Sequence, residues 1–519
     1  MAKRQTFLVV GAGPTGLGAA VRLRELGEQE VLILEACRAV GGLAASFRDE
    51  RGFTWDLGSH LHYSHYDHVD QCWDEVLSPE QWLTHRRSTW VWADRFVPYP
   101  FQLNLHRLPE PMKEACVRGL LEAASGRAER AGEGLRESGQ APIVLIGASP
   151  IFAGSFRDWI LATFGRGIAE QFMLPYNQKL WAHPLERMSC RWIRQRVAVP
   201  EVEEVLRRVR LGKDSKSWGP NATFRYPRRG GAGAVWTALA RALPPQCIRY
   251  GEPLVRVDAD RRVVHTASGS TYGYDHLINT MPLDQLAKML DTNRVVPPAE
   301  TLAWTATHVI GIGCEGQPSA TVQDKLWVYY PGDSVPFYRV TVQSNLSAEN
   351  TPRPGQTWSL MAEVSESPYR RLPAGDLVQH VIDGFRSVGL LRSGERIVSR
   401  WYRRLPYGYP VPTLDRDQVL DELLPFLREL GIYSRGRFGA WKYEVGNQDH
   451  SFMQGVEAVE HILHGRTELT LEEPDLVNSR HNPFPYREWE VAMAPAEEEC
   501  SPVAPRPDMA GFGESRLHR

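Results

Sequence analysis

The residues best suited to chemistry begin at the first glycines of the chain. Gly11, Gly13 and Gly16 follow the apolar run Phe7–Val10 and open the helically spaced apolar residues of Leu17 to Leu26. Glu35 stands nineteen positions beyond Gly16, just after the next apolar run, Val31–Leu34. Glycine at these places permits a tight turn, lets the backbone approach a pyrophosphate and aims helix N-terminal N–H groups at it. The carboxylate can accept from a ribose 2′-hydroxyl and disfavours a 2′-phosphate. A bare glycine triplet is also what an ordinary turn looks like. Here strand, turn, helix, strand and acid occur in the order a dinucleotide site requires.

Further along, arginines fall among aromatics: Arg339 follows Phe337-Tyr338, and Arg437 precedes Phe438. A planar, permanently charged guanidinium in such company can bind phosphate bidentately where water is scarce. A surface pair with a carboxylate is the commoner fate of an arginine. Tyr99 and Gln102, three apart in Tyr-Pro-Phe-Gln, offer a stacking face and an amide for a nucleobase, or else pack a strand edge. His60, His62, His65 and His68 crowd one short stretch. Imidazoles ligate zinc, but this spacing fits no regular three-ligand site and no acidic metal motif follows, so no metal is expected. No Ser-His-Asp set or paired acid/base carboxylates stand out. The seven cysteines (Cys37, Cys72, Cys116, Cys190, Cys247, Cys314, Cys500) are scattered and form no Cys-x-x-Cys, which points to a reducing, cytoplasmic setting.

Six residues after Glu35 comes Gly41-Gly42-Leu43-Ala-Ala. A second glycine pair past the acid resembles the extended fingerprint of flavin amine oxidases and mutases, where it helps to hold the FAD pyrophosphate. Longer strings narrow the resemblance. Trp55-Asp-Leu-Gly-Ser-His60-Leu-His-Tyr-Ser-His65-Tyr, Val97-Pro-Tyr-Pro-Phe-Gln102, Pro175-Tyr-Asn-Gln-Lys-Leu-Trp181 and Arg196-Val-Ala are similar to blocks of the eukaryotic-type UDP-galactopyranose mutases. So are Asn221-Ala-Thr-Phe-Arg-Tyr-Pro, Pro336-Phe-Tyr-Arg339, Tyr407-Gly-Tyr409-Pro-Val-Pro-Thr and the run from Gly436 through Tyr443 to His450. The resemblance covers about residues 5–485. It implies an isomerase that interconverts UDP-galactopyranose and UDP-galactofuranose, with N5 of reduced FAD attacking the anomeric carbon and no net redox change.

The same resemblance distributes the roles. It implies FAD contacts at Gly11, Gly13, Pro14, Thr15, Gly16, Glu35, Gly41, Gly42, Leu43, Gly58, Ser59, Gly446, Asn447 and Gln448. Catalysis falls to His60, Arg196, Arg339 and Arg437. The UDP-sugar falls to Tyr99, Gln102, Asn177, Trp181, Arg196, Asn221, Trp327, Tyr329, Arg339, Tyr409, Arg437 and Tyr443. NADPH or NADH is implied as reductant, with contacts at Arg86 and Ser88. Two departures are visible: Ser59 replaces a glycine usual before the histidine, and Gly126–Phe156 is longer than in the family. A flavin oxidase or dehydrogenase of the amine-oxidase type shares the pattern of the first 45 residues, and a mutase for another UDP-sugar fits as well. A degenerate FAD scaffold would be expected to lack His60, Arg339 or Arg437.

To bring such distant residues together, the chain must fold as an α/β protein. The expectation is a Rossmann-like FAD-binding domain built from 1–84, 222–300 and 425–487, with an inserted helical domain at 108–221. An antiparallel β-sheet domain for substrate comes from 85–107 and 301–424, and 488–519 form a disordered tail. Helix is expected over Pro200–Leu211 and a solvated loop over Gly126–Gln140. Strands are expected at Leu254–Val257, Arg262–Val264, His276–Asn279, Leu326–Tyr330 and Thr357–Met361. A net charge of -2 argues against a nucleic-acid partner. The longest apolar tract, Ala141–Phe156, is broken by Pro142, Ser149 and Pro150 and cannot make the roughly 20-residue membrane span.

Overall fold

The computed structural model describes residues 3–28, 30–138, 154–193, 196–199, 201–215 and 222–486. Unbroken apolar runs such as Phe7–Val10 pair in parallel between two covered layers. β1 (Lys3–Val10) accordingly lies between β2 (Val31–Glu35) and the strand Thr271–Asn279, parallel to both. Phe7 is level with Val31 and His276, and Val10 with Leu34 and Asn279. The period of two divides the run: Phe7 and Val9 join a core with Leu17, Trp236 and Met453, while Leu8 and Val10 join another with Leu277, Leu423 and Trp441. Leu290–Asp291, Leu254–Asp258, Val263–Thr266, Ile248–Tyr250 and Ile432–Ser434 complete this eight-stranded sheet.

α1 (Pro14–Glu25) starts immediately after the glycine turn with Pro14 in its first turn. It stops at Gly27, φ 88°, where the N–H groups of Gly27 and Glu28 close on the carbonyls of Arg24 and Leu23. It crosses the helix Gln448–His464 at glycines. A Cβ on Gly18 would lie 2.3 Å from the Phe452 carbonyl oxygen, and one on Gly455 would lie 2.0 Å from that of Thr15.

The second sheet has seven strands in the order Ile397–Val411, Ala303–Glu315, Thr357–Glu366, Arg339–Thr341, Trp327–Tyr329, Thr89–Trp92 and Phe96–Pro98. Its pairs are antiparallel except Trp327–Tyr329 with Thr89–Trp92, which is parallel. Tyr329, Arg339 and Glu363 stand directly opposite one another on three adjacent strands, so their side chains share one face.

Helices Glu110–Ser138, Phe156–Ile168, Leu174–Trp181 and Val202–Leu211 share a core with Val91, Val97, Trp327 and Tyr329, on the last three strands of this order. The loop expected from Gly126 is corrected: helix continues to Ser138, because Ala, Glu and Arg outnumber the three glycines of that stretch and favour helix. Asn221, residues 139–153 of the expected insertion and the tail at 488–519 lie outside the described residues. The domain cuts expected at 84/85 and 424/425 fall inside the strand Trp82–Arg86 and the helix Arg416–Glu429. Among the described residues no helix is long and apolar enough to cross a membrane.

Candidate active site

A cavity of about 1120 Å³ opens at the C-terminal ends of β1 and β2 and runs to the face of the seven-stranded sheet. It is larger than the roughly 300–1,000 Å³ of common ligand pockets, so a cofactor and a substrate can lie in it together.

One end is a nucleotide cradle. Gly11 has φ 98°, and a Cβ there would sit 2.2 Å from Thr280 Oγ1; only glycine fits. Gly13, Pro14, Thr15, Gly42 and Leu43 line the wall. Gly16 and Gly41 do not: Gly16 allows α1 to press on the Gly11 carbonyl, and the Gly41 N–H donates to Ala12 O at 2.9 Å. The Glu35 carboxylate is buried and accepts the Ala12 N–H through Oε2 and the Cys37 N–H through Oε1, both at 2.7 Å. Each oxygen keeps a lone pair for a ribose hydroxyl. No acidic side chain occupies the first turn of α1, so its N-terminal dipole is left for an anion. These features fit the ribose and pyrophosphate of FAD. Gly446, Asn447 and Gln448 also reach the cavity. The Gln448 side chain accepts from Trp236 Nε1 (2.8 Å) and donates to Leu61 O (3.1 Å), which fixes the orientation of its amide.

At the other end the cavity is lined with arginine and aromatic side chains. Arg339 Nε and Nη2 donate to Glu363 at 2.7 and 2.6 Å, and the Tyr338 hydroxyl and Ser59 N–H donate to the same carboxylate at 2.7 and 3.2 Å. Burial pushes the Glu363 carboxyl up, but the adjacent guanidinium outweighs it and holds the carboxyl below its ordinary range. Glu363 was not evident from the sequence; it is placed beside Arg339 by strand register, which carries no local motif.

Arg437 is held differently. Its guanidinium donates to the carbonyls of Gly408 (3.2 and 3.3 Å) and Gly446 (3.0 Å), and lies over the rings of Tyr409 and Tyr443. Among the described residues no carboxylate pairs with it, and burial lowers its pKa. Arg196 donates to Glu444 O (2.6 and 3.0 Å) and Asn447 Oδ1 (3.3 Å) and stacks on Tyr443. Between these groups, Gly58, Ser59 and His60 border the cavity. Burial lowers the His60 pKa and favours the neutral ring, outweighing the opposing pull of Asp56 and Glu363, with Arg437 and Arg339 acting in the same direction as burial.

The helix Leu174–Trp181 presents Asn177 and Trp181 to the cavity, along with Tyr176, which the sequence reading had missed. It follows a π-helical turn, Ala169–Met173, where Pro175 has no N–H to continue the regular ladder. Trp181 packs edge-on against Tyr409 and Tyr443. Trp327 Nε1 donates to the Tyr329 hydroxyl at 3.2 Å, and Tyr99 meets Tyr329 edge-on. Gln102 donates to Ala198 O at 2.5 Å.

The four histidines of the crowded stretch separate. His60 faces the cavity, whereas His62 is sealed edge-on against Trp73 and Trp82, which pushes its pKa down to about 3. His65 Nδ1 bonds Asp449 Oδ2 at 2.7 Å beside His450, and His68 lies near Glu25 and Cys72. Arg86 is exposed and Ser88 donates to Asp324 O at 2.7 Å; neither lines the cavity, but Arg87 does.

The family model for flavin containing amine oxidoreductases matches residues 14–463. Among solved structures, the chain is similar to a crystal structure of reduced UDP-galactopyranose mutase at 40% identity and TM-score 0.84, over 93% of this chain and 98% of that one. More distant likenesses, which show the fold alone, include a CLA-producing fatty acid isomerase from P. acnes (15% identity, TM-score 0.58, 89% and 100% covered). A putrescine oxidase is comparable, at 15% identity, TM-score 0.56, and 89% and 99% covered. The chain belongs to the flavin-containing amine oxidoreductases and, within them, to the UDP-galactopyranose mutase family.

Proposed function

We propose that the protein is an FAD-dependent isomerase that interconverts UDP-galactopyranose and UDP-galactofuranose. The observation that carries this reading is Arg437: a half-buried guanidinium whose hydrogen bonds go to backbone carbonyls, facing the same cavity as the nucleotide cradle. Such a cation is arranged for an anionic ligand. When bound and reduced, FAD supplies the nucleophilic N5 that displaces UDP from the anomeric carbon, without net redox change.

The protein's part is position and charge. Arg437 binds the diphosphate, with Tyr409 and Tyr443 adding hydroxyl donors. Arg339 is oriented by Glu363 through Nε and one donor of Nη2, leaving the donors of Nη1 for a diphosphate oxygen. Tyr329 and Trp327 extend that wall, Tyr99 and Gln102 take the base, and Asn177, Trp181 and Arg196 surround the sugar. His60, kept neutral, offers one donor and one acceptor to the isoalloxazine. NADPH or NADH is the proposed reductant. A reducing, cytoplasmic setting is supported by the six described cysteines, all unpaired.

The test is turnover. FAD-loaded protein reduced with dithionite should convert UDP-galactofuranose to UDP-galactopyranose by ion-exchange chromatography, and oxidised protein should not. No conversion by the reduced protein, together with peroxide release from an amine, would move the assignment to an oxidase. Flavin bleaching on mixing with NADPH or NADH tests the reductant; no bleaching over minutes would remove it.

A further inference from the structure

We propose that Arg87 is a specificity-determining residue that reads the edge of the nucleobase. The inference rests on the sugar-nucleotide reading above and adds a residue that reading does not use. Along Trp82–Arg86, burial alternates: Thr84 and Arg86 are exposed, and Leu83 and His85 are turned inward. Arg87 continues the inward set. Its guanidinium lies 4.7 Å from the centroid of the Tyr99 ring and 5.7 Å from that of Trp327, on the cavity wall. Nε–H donates to Thr89 Oγ1 at 3.1 Å, which fixes the plane of the group.

Gln102 supplies the second half. Its amide nitrogen is bound to Ala198 O, so the orientation of the amide is set and Oε1 is the atom left over. The residue is only 2% exposed, and Oε1 has no partner among the described residues. A buried acceptor left unpaired is unfavourable, so a donor from the ligand is called for. The base end of the cavity therefore presents an acceptor from Gln102 and, from Arg87, donors only.

That pair complements a ring N–H beside a carbonyl, as in the imide edge of uracil. Cytosine has the same size and stacks equally well, but it shows a ring acceptor and an amino donor and so mismatches both residues. The planar guanidinium on Tyr99 also extends the platform on which a base stacks.

The experiment is calorimetric titration of FAD-loaded protein with UDP and with CDP, for the wild type, Arg87→Met and Arg87→Lys. The wild type should prefer UDP. Arg87→Met should lose about ten- to hundredfold in UDP affinity, the worth of a charge-assisted hydrogen bond, with little change for CDP and an unchanged flavin spectrum. Arg87→Lys keeps the charge without the flat fork, and its UDP:CDP ratio should also fall. Parallel loss of UDP and CDP would assign Arg87 to phosphate charge or to support of Tyr99, and would overturn the proposal. A wild-type ratio in Arg87→Lys would overturn it too, and serves if the methionine variant does not fold. A wild type that binds neither nucleotide would instead refute the sugar-nucleotide reading.

Discussion

Replacing Arg339 by alanine should damage folding as well as turnover, and the two losses can be separated. Glu363 is 2% exposed and accepts two hydrogen bonds from Arg339, one from Tyr338 and one from the Ser59 backbone. Arg339→Ala leaves that carboxylate buried with neutral donors only, and breaking a buried pair from one side costs about 3–5 kcal/mol. Burial then dominates, and the Glu363 pKa, held low in the wild type, rises. A folded-state pKa above the unfolded value means that protonation favours the folded form. The deficit should therefore shrink as pH is lowered from 7.5 to 5.5. Arg339→Ala/Glu363→Gln removes the stranded charge and should recover all but about 1–2 kcal/mol, yet stay inactive because the substrate contact is gone. Urea unfolding at fixed FAD concentration, followed by tryptophan fluorescence, measures the stabilities. A single variant within about 1 kcal/mol of wild type, or a double variant no more stable than the single, would refute the pairing as the source of the effect.

Arg437→Ala should raise the barrier by about 2–5 kcal/mol with flavin content unchanged, and with a smaller stability loss than Arg339→Ala, since it strands no carboxylate. Turnover and flavin absorbance on one preparation check this. Gly11→Ala should yield colourless protein, because its Cβ would meet Thr280 Oγ1 at 2.2 Å and φ 98° is unfavourable for alanine by about 1–2 kcal/mol; flavin absorbance after incubation with excess FAD reads it. His62 and His450, buried with pKa values pushed down to about 3, take up protons on unfolding below about pH 6.5. Stability should fall by about 1.4 kcal/mol per pH unit for each as pH drops from there, and His62→Phe should flatten the slope of Tm against pH.

What the sequence revealed was local or came with long shared strings. The turn at Gly11–Gly16 and the acid at Glu35 are legible because strand, turn and helix follow one another within a few residues, and the structure places Gly11, Gly13 and Glu35 on one wall. Glu363 was not legible. It meets Arg339 only because two strands align Arg339 opposite Glu363, and register is set by the whole sheet. Arg86 is exposed whereas its neighbour Arg87 reaches the cavity: along a strand, a shift of one residue exchanges the solvent side for the cavity side. Gln448 lines the cavity, and its amide is oriented by Trp236 and Leu61, a contact between distant segments that no local pattern signals.

The charges also decide between an anionic substrate and the amines of the wider superfamily. Arg339 is neutralised in place by Glu363, whereas Arg196 and Arg437 both face the cavity with backbone carbonyls as their main partners. Among the described residues neither makes an ion pair, and each stacks on the ring of Tyr443, so the two cations flank one aromatic. At an effective dielectric of about 20, a protonated amine placed about 5 Å from either would be repelled by about 3 kcal/mol. A diphosphate diester bearing two negative charges gains where the amine loses, and its charge equals that of the two guanidinium groups. Substituting either arginine by methionine should therefore weaken UDP binding in a salt-sensitive manner, measured by titration at two ionic strengths. UDP affinity indifferent to both substitutions would place the diphosphate elsewhere and undo the assignment.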